Sequence, residues 1–163
     1  DILILSGGVS MGEYDLVGEV LLDLGVKIFF EKVALRPGKP TVFGMKGDKL
    51  IFALPGNPVS TFVTFELFVK PCIKKMMGFT SYEHPIIHAE LEKVIKIKKK
   101  RREYRPALLR QEGSGWKVSL IDWHGSGDLF SLTKANGLLI ISESVEKLNK
   151  GDMVEVMLTD GLL

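Results

Sequence analysis

At 163 residues, with 45% hydrophobic and 26% charged side chains, the chain has room for one ordinary domain or two small ones and the composition of a globular protein. Its single cysteine, Cys72, excludes an internal disulfide, three scattered histidines offer no zinc-type ligand set, and a net charge of +2 is too small to argue for nucleic acid. No apolar run approaches the roughly 18 residues of a spanning helix, so a cytoplasmic protein with no membrane segment is expected.

The run Ile2-Leu3-Ile4-Leu5 has the continuous apolar texture of a strand buried on both faces of a parallel sheet. With no initiator methionine or leader ahead of it, it reads as the interior of a longer protein. A glycine-rich turn follows, Ser6-Gly7-Gly8-Val9-Ser10-Met11-Gly12. From Asp15 onward, Val17, Val20, Leu21 and Leu24 fall at helical spacing, and Gly25 stops the pattern. Val26 to Leu35 predicts another strand, closed by the rigid turn Arg36-Pro37-Gly38-Lys39-Pro40.

Thr41 to Gly44 and Leu50 to Leu54 predict two more strands around a Lys46-Gly47-Asp48 turn. Next comes Pro55-Gly56-Asn57-Pro58-Val59-Ser60, then a helix with Phe62, Phe65, Val69, Ile73 and Met76 on one face, Pro71 as a kink and Gly78 as the stop. Strand, special loop and helix have occurred twice, which points to an α/β layer with a mostly parallel sheet. Beyond residue 81 the texture changes. Segments 86–97, 107–111, 116–121, 137–141 and 153–158, separated by glycine-containing turns, predict a small all-β barrel or sandwich with no convincing helix. The expected domains are therefore 1–81 and 82–163.

A glycine loop between a strand and a helix can cradle an oxyanion on its backbone N–H groups, or can be a tight turn that needs glycine for its own geometry. Glu13 and Asp15, at the start of the predicted helix, suit an ordinary cap or a carboxylate holding Mg²⁺ beside a phosphate. Arg36 and Lys39 put two cations on a stiff turn, which fits an oxyanion or a solvated surface. Asn57 and Ser60 offer polar groups on a loop whose backbone two prolines and a glycine restrict. Six of the seven residues from Lys96 to Arg102 are basic. A solvated edge strand explains them more simply than a nucleic-acid surface, since Tyr104 alone is a poor base-stacking platform. Arg101, Arg102 and Arg105 flank Glu103 and Tyr104, and Gly125-Ser126-Gly127-Asp128 forms a further polar turn. The tryptophans read as core, Cys72 as inert on an apolar helix face, and the histidines carry no assigned role.

Residues 6–15, 36–40 and 54–60, in this order and spacing, resemble MoeA and the gephyrin E domain, the molybdopterin molybdenumtransferases. The resemblance covers the whole chain. It implies the C-terminal half of a MogA-like, molybdopterin-binding α/β domain followed by the family's β-barrel domain. The implied reaction is insertion of molybdate into adenylylated molybdopterin with Mg²⁺ and release of AMP. By motif position the essential, metal-positioning aspartate falls on Asp15. Oxyanion-holding residues fall on Ser10, Lys39 and Pro40, and on Arg105 and Ser126 in the last domain. The remaining cofactor-binding positions implied are Ser6, Gly7, Gly8, Gly12, Glu13, Arg36, Pro37, Gly38, Pro55, Gly56, Asn57, Pro58 and Ser60. Where this chain has Arg36 the family often has lysine. The resemblance also implies a homodimer in the full-length form, a MogA-like adenylyltransferase partner, no nucleic acid, and a fragment inactive alone. A non-catalytic scaffold or peptide-binding module of the gephyrin E type is the alternative.

Overall fold

A computed structural model describes residues 1–9, 16–97, 101–122 and 129–159. The N-terminal part is a four-stranded sheet in the order β1-β5-β4-β2, formed by β1 (Ile2–Ser6), β2 (Lys27–Phe30), β4 (Val42–Lys46) and β5 (Lys49–Leu54). The sheet is mixed rather than mostly parallel. Only β1 and β5 run parallel, while β2–β4 and β4–β5 are antiparallel. The cause is connection length, because β4 and β5 are joined by a tight turn at Gly47 and Asp48, whereas a parallel neighbour requires a crossover of a dozen or more residues.

Two strand expectations are corrected. Among the described residues β1 pairs with β5 alone, so Leu3 and Ile4 are 48% and 41% exposed and β1 is not buried on both faces. The predicted strand from Val26 to Leu35 breaks after Phe30, where the β2–β4 register shifts between Ile28 and Phe30. It resumes as a two-residue strand, β3 (Leu35–Arg36), in a different sheet.

Helix α1 (Val17–Asp23) buries Leu21 against Val26, Val42, Ile51 and Ala53. Val20 and Leu24, expected on the same inner face, are 49% and 57% exposed. The second helical stretch runs as α2 (Pro58–Thr64), a π-helical turn (Phe65–Val69) and α3 (Lys70–Met76). Pro71 accounts for the π turn: a proline inside an α-helix lacks its N–H and crowds the carbonyl four residues back, here Leu67, and one wide turn relieves that crowding. The Lys70 N–H accordingly reaches the Phe65 carbonyl, five residues back. The turn also divides the apolar face. Phe62 and Val63 pack towards Tyr104, Leu138 and Met157, while Phe65, Val69 and Ile73 pack on Phe52 and Leu54. Met76, predicted on that face, is 53% exposed.

The C-terminal part is a closed barrel. Strands β6 (Ile86–Leu91), β8 (Arg102–Glu112), β9 (Gly115–Leu120), β10 (Gly137–Ile141) and β12 (Met153–Leu158) pair in the cycle β8-β9-β6-β12-β10-β8. Closure leaves these five strands no long unpaired edge. Leu91, Leu109, Val118, Leu139, Ile141 and Val156 fill the interior, each contributing about 1.5–3 kcal/mol by leaving water. Two short strands, β7 (Ile95–Lys96) and β11 (Lys147–Leu148), pair outside the barrel, and one helix of four residues, α4 (Leu129–Leu132), interrupts the expected helix-free region. Strand β3 joins the barrel sheet, running parallel to β8 with Leu35 opposite Arg102 and Arg36 opposite Glu103.

Candidate functional site

Parallel pairing of β1 and β5 in register sets Ser6 beside Leu54, so the loops that follow the two strands leave the sheet side by side. The Gly7 N–H donates to the Leu54 carbonyl at 3.0 Å, and a Cβ on Gly56 would lie 3.3 Å from the Gly7 Cα. The first and third loops therefore touch through glycine backbone. The 36–40 turn joins them at α2. Gly38 has φ +106°, and a side chain there would run into the Cγ2 of buried Thr64. Thr41 Oγ1 donates to the Gly38 carbonyl at 2.7 Å and holds the turn from its other side.

Local chemistry explains how each loop is fixed. Asn57 is the N-cap of α2, its Oδ1 accepting the Val59 and Ser60 N–H groups at 3.1 and 3.3 Å, with Pro58 in the first turn. Thr61 Oγ1 donates to the Pro55 and Asn57 carbonyls. The side-chain oxygen of Asn57 thus serves the loop itself. Lys39 contributes its backbone carbonyl, which accepts from the Val33 and Thr41 N–H groups, while its side chain is exposed.

Between these loops and the barrel lies a cleft of about 660 Å³. Arg36, Pro37, Asn57 and Ser60 line one side, and Lys96, Glu103, Tyr104, Arg105 and Asp122 are among the residues of the barrel side. Five predicted site residues meet there: Arg36, Pro37, Asn57, Ser60 and Arg105. Ser6, Gly7, Gly8, Gly38, Lys39, Pro40, Pro55, Gly56 and Pro58 are not part of this lining. Of these, Ser6, Gly7, Gly38, Pro55, Gly56 and Pro58 make the loop contacts described above. Ser10, Gly12, Glu13, Asp15 and Ser126 lie outside the described residues.

The residue that sequence reasoning passed over is Glu103. Its side chain is 1% exposed, and each carboxylate oxygen meets a guanidinium. Arg36 Nη1 donates to Oε1 at 2.9 Å, and Arg105 Nε donates to Oε2 at 2.7 Å. A glutamate among three arginines was a visible signal, but only the β3–β8 register shows which arginines it faces. Outside the cleft, His84, 5% exposed, sets its Nδ1 3.0 Å from the Leu158 carbonyl and its Nε2 2.8 Å from the Glu66 carbonyl, tying the π turn to the barrel. No group of three or more histidine, cysteine, aspartate or glutamate side chains among the described residues could hold a metal ion. No helix among them is long and apolar enough to cross a membrane.

Residues 1–75 match the family described as "Probable molybdopterin binding domain", and residues 88–159 match the "MoeA C-terminal region (domain IV)". Among curated proteins, the chain is 36% identical over 183 residues to gephyrin of Dictyostelium discoideum, covering 97% of this chain and 25% of that protein. It is 33% identical over 161 residues to a molybdopterin molybdenumtransferase of Staphylococcus epidermidis, covering 98% of this chain and 38% of the relative. A solved MoeA molybdopterin biosynthesis protein from Pyrococcus horikoshii superposes with a TM-score of 0.78 at 32% identity, covering 98% of this chain and 37% of that one. The chain thus spans between a quarter and two fifths of the length of these relatives.

Proposed function

The chain belongs to the MoeA and gephyrin family, and from that premise we propose that it takes part in inserting molybdate into adenylylated molybdopterin, with release of AMP. The observation that carries the reading is the meeting of Arg36 and Arg105 in one cleft, each from a different part of the chain. A dianionic tetrahedral oxyanion needs fixed N–H donors of positive charge, and two guanidinium groups supply them in planar forks. Open space where a side chain would stand on Gly7 lets a ligand approach the main chain of the first loop, which suits a pterin phosphate and its adenylate.

Asp15 is our assignment for Mg²⁺, an ion that takes one or two carboxylates together with substrate phosphate oxygens. When bound, the ion would neutralise charge on the phosphoanhydride as it breaks. We assign oxyanion contacts to Ser10, Lys39, Pro40 and Ser126 as well. The same reading includes a homodimer in the full-length form, a MogA-like adenylyltransferase as the supplier of the adenylylated substrate, a cytoplasmic setting, and a domain division near residue 81.

The test is reconstitution with the full-length protein, adenylylated molybdopterin, molybdate and Mg²⁺, followed by AMP release and metal incorporation. Asp15→Asn is expected to abolish insertion while the protein still binds the adenylylated pterin. Retention of more than about half the wild-type rate would reduce Asp15 to a helix cap, since a lost metal ligand costs far more than a lost cap.

A further inference from the structure

Glu103 follows Arg102 at the start of β8, and the parallel β3–β8 register places Arg36 directly beside it. Arg105, two residues along the same strand, shares its face because side chains alternate across a strand. One buried carboxylate therefore stands between two cleft-lining guanidinium groups, one from each part of the chain. Resting on the reading of the cleft as an oxyanion site, we propose that Glu103 is a positioning residue: it holds Arg36 and Arg105 at a fixed spacing for the oxyanion without contacting the ligand itself.

Three observations support this role. Both carboxylate oxygens are occupied, Oε1 by Arg36 and Oε2 by Arg105, and the side chain is 1% exposed, so Glu103 borders the cleft while its charge is already engaged by the two guanidinium groups. Each arginine spends only part of its five-donor fork on the carboxylate: among the described residues, Arg36 uses Nη1 and Arg105 uses Nε and Nη2. Donors remain on both for an incoming oxyanion. The exposures differ in the same sense, the carboxylate being 1% exposed while Arg36 and Arg105 are 41% and 26% exposed and so reachable from the cleft. A long side chain that must order itself on binding loses rotamer freedom at that moment, and fixing it beforehand removes that cost.

The proposal fixes a sign. Replacing the carboxylate by an amide raises the net positive charge of the cleft wall, so a purely electrostatic site would bind anions more tightly. A positioning role gives the opposite result. We would titrate the full chain with inorganic molybdate, and with inorganic sulfate as a second tetrahedral dianion, in wild type and Glu103→Gln. The expected result is about a tenfold weaker affinity for both anions, of the order expected when one charge-assisted contact is lost. In the insertion assay the variant should raise the molybdate KM while leaving kcat within about twofold, whereas a merely structural role lowers the active fraction, and with it kcat, at an unchanged KM.

Unchanged or tighter anion affinity in Glu103→Gln overturns the proposal, as does a loss confined to kcat. If Glu103→Gln does not fold, Glu103→Asp keeps the charge but withdraws the carboxylate by one methylene, and reads the same arrangement with the net charge of the cleft wall unchanged. Weaker molybdate binding is again expected, and unchanged affinity overturns the proposal. Anion binding that depends on Glu103, in a full-length protein without insertion activity, leaves this inference standing and removes the proposed reaction. Insertion with an anion affinity indifferent to Glu103 does the reverse, and a wild type that binds neither anion overturns both.

Discussion

The side-chain amide of Asn136 pairs with both backbone groups of Leu109: the Leu109 N–H donates to Oδ1 at 2.7 Å and Nδ2 donates to the Leu109 carbonyl at 3.0 Å. One side chain thus continues the β8–β10 ladder past Gly137, where backbone pairing of β10 begins. Asn136→Ala removes both partners from a strand whose Leu109 side chain is 2% exposed. The expected cost is about 1–3 kcal/mol, the penalty of leaving a buried amide unpaired. Urea unfolding of wild type and variant measures it, and a difference below about 0.5 kcal/mol would show that water replaces the amide without loss.

Gly38→Ala tests the turn that carries Pro37 towards the cleft. The φ of +106° lies where L-residues are strained, and the added methyl would meet Thr64. Destabilisation of about 1–3 kcal/mol is expected, together with weaker molybdate binding, because the Arg36 backbone is displaced with the turn. A variant of wild-type stability by calorimetry would place the required conformation within reach of alanine.

Lys39 and Arg105 should differ as oxyanion ligands. Lys39 has an exposed side chain outside the cleft lining, whereas Arg105 is in the lining and braced by Glu103. Arg105→Ala is expected to weaken molybdate binding about tenfold and Lys39→Ala by less than about threefold, since an exposed, unbraced cation is screened by solvent. Calorimetric titration with molybdate ranks the two, and a larger effect at Lys39 would move the anion towards the 36–40 turn.

Burial pushes the Cys72 thiol above its ordinary value, and the Lys75 charge offsets this only in part. The folded state therefore favours the neutral thiol. Its contribution to stability is fully present below the unfolded value of about 8.5 and is lost as pH rises through the higher folded value. Alkylation by iodoacetamide, followed against pH, should show a midpoint above that of the denatured chain. An equal or lower midpoint contradicts the expected effect of burial.

The proposed division near residue 81 predicts unequal autonomy. A polypeptide of residues 82–163 holds all five strands of the closed barrel and its core. It should give dispersed amide resonances. Residues 1–80 expose Leu3 and Ile4 on an edge strand and should associate or remain partly disordered. A monomeric, well-dispersed 1–80 would argue against the division.

Much of this architecture is legible in the residues, for reasons that differ between elements. Strands β5, β10 and β12 are short, mainly apolar runs, and the all-β character of the C-terminal part follows from the number and spacing of its segments, although their closure into a barrel does not. The first half of β8 is less visible, because Arg102-Glu103-Tyr104-Arg105-Pro106 looks like a polar loop until two arginines are seen to neutralise a buried carboxylate. The break between β2 and β3 has no local signal, since Glu31 to Ala34 is no more turn-like than what precedes it and the register shift depends on Phe43 of the neighbouring strand. In the site, the 36–40 turn and the residues of the third loop announce themselves by proline and glycine. Glu103 and His84 do not, because one partner of each, Arg36 and Leu158, lies 67 and 74 residues away.

Strand β3 is only two residues long, yet it makes the barrel sheet continuous with chain that otherwise belongs to the N-terminal sheet. Two bodies joined only by a flexible tether can swing apart to admit a ligand and close behind it. Here such a swing would have to peel Leu35 and Arg36 from Arg102 and Glu103, sacrificing ladder pairing and the Arg36–Glu103 ion pair together. The width of the cleft is thus set when the chain folds, and a ligand arriving there meets a gauge already cut to size rather than a jaw that adjusts to it.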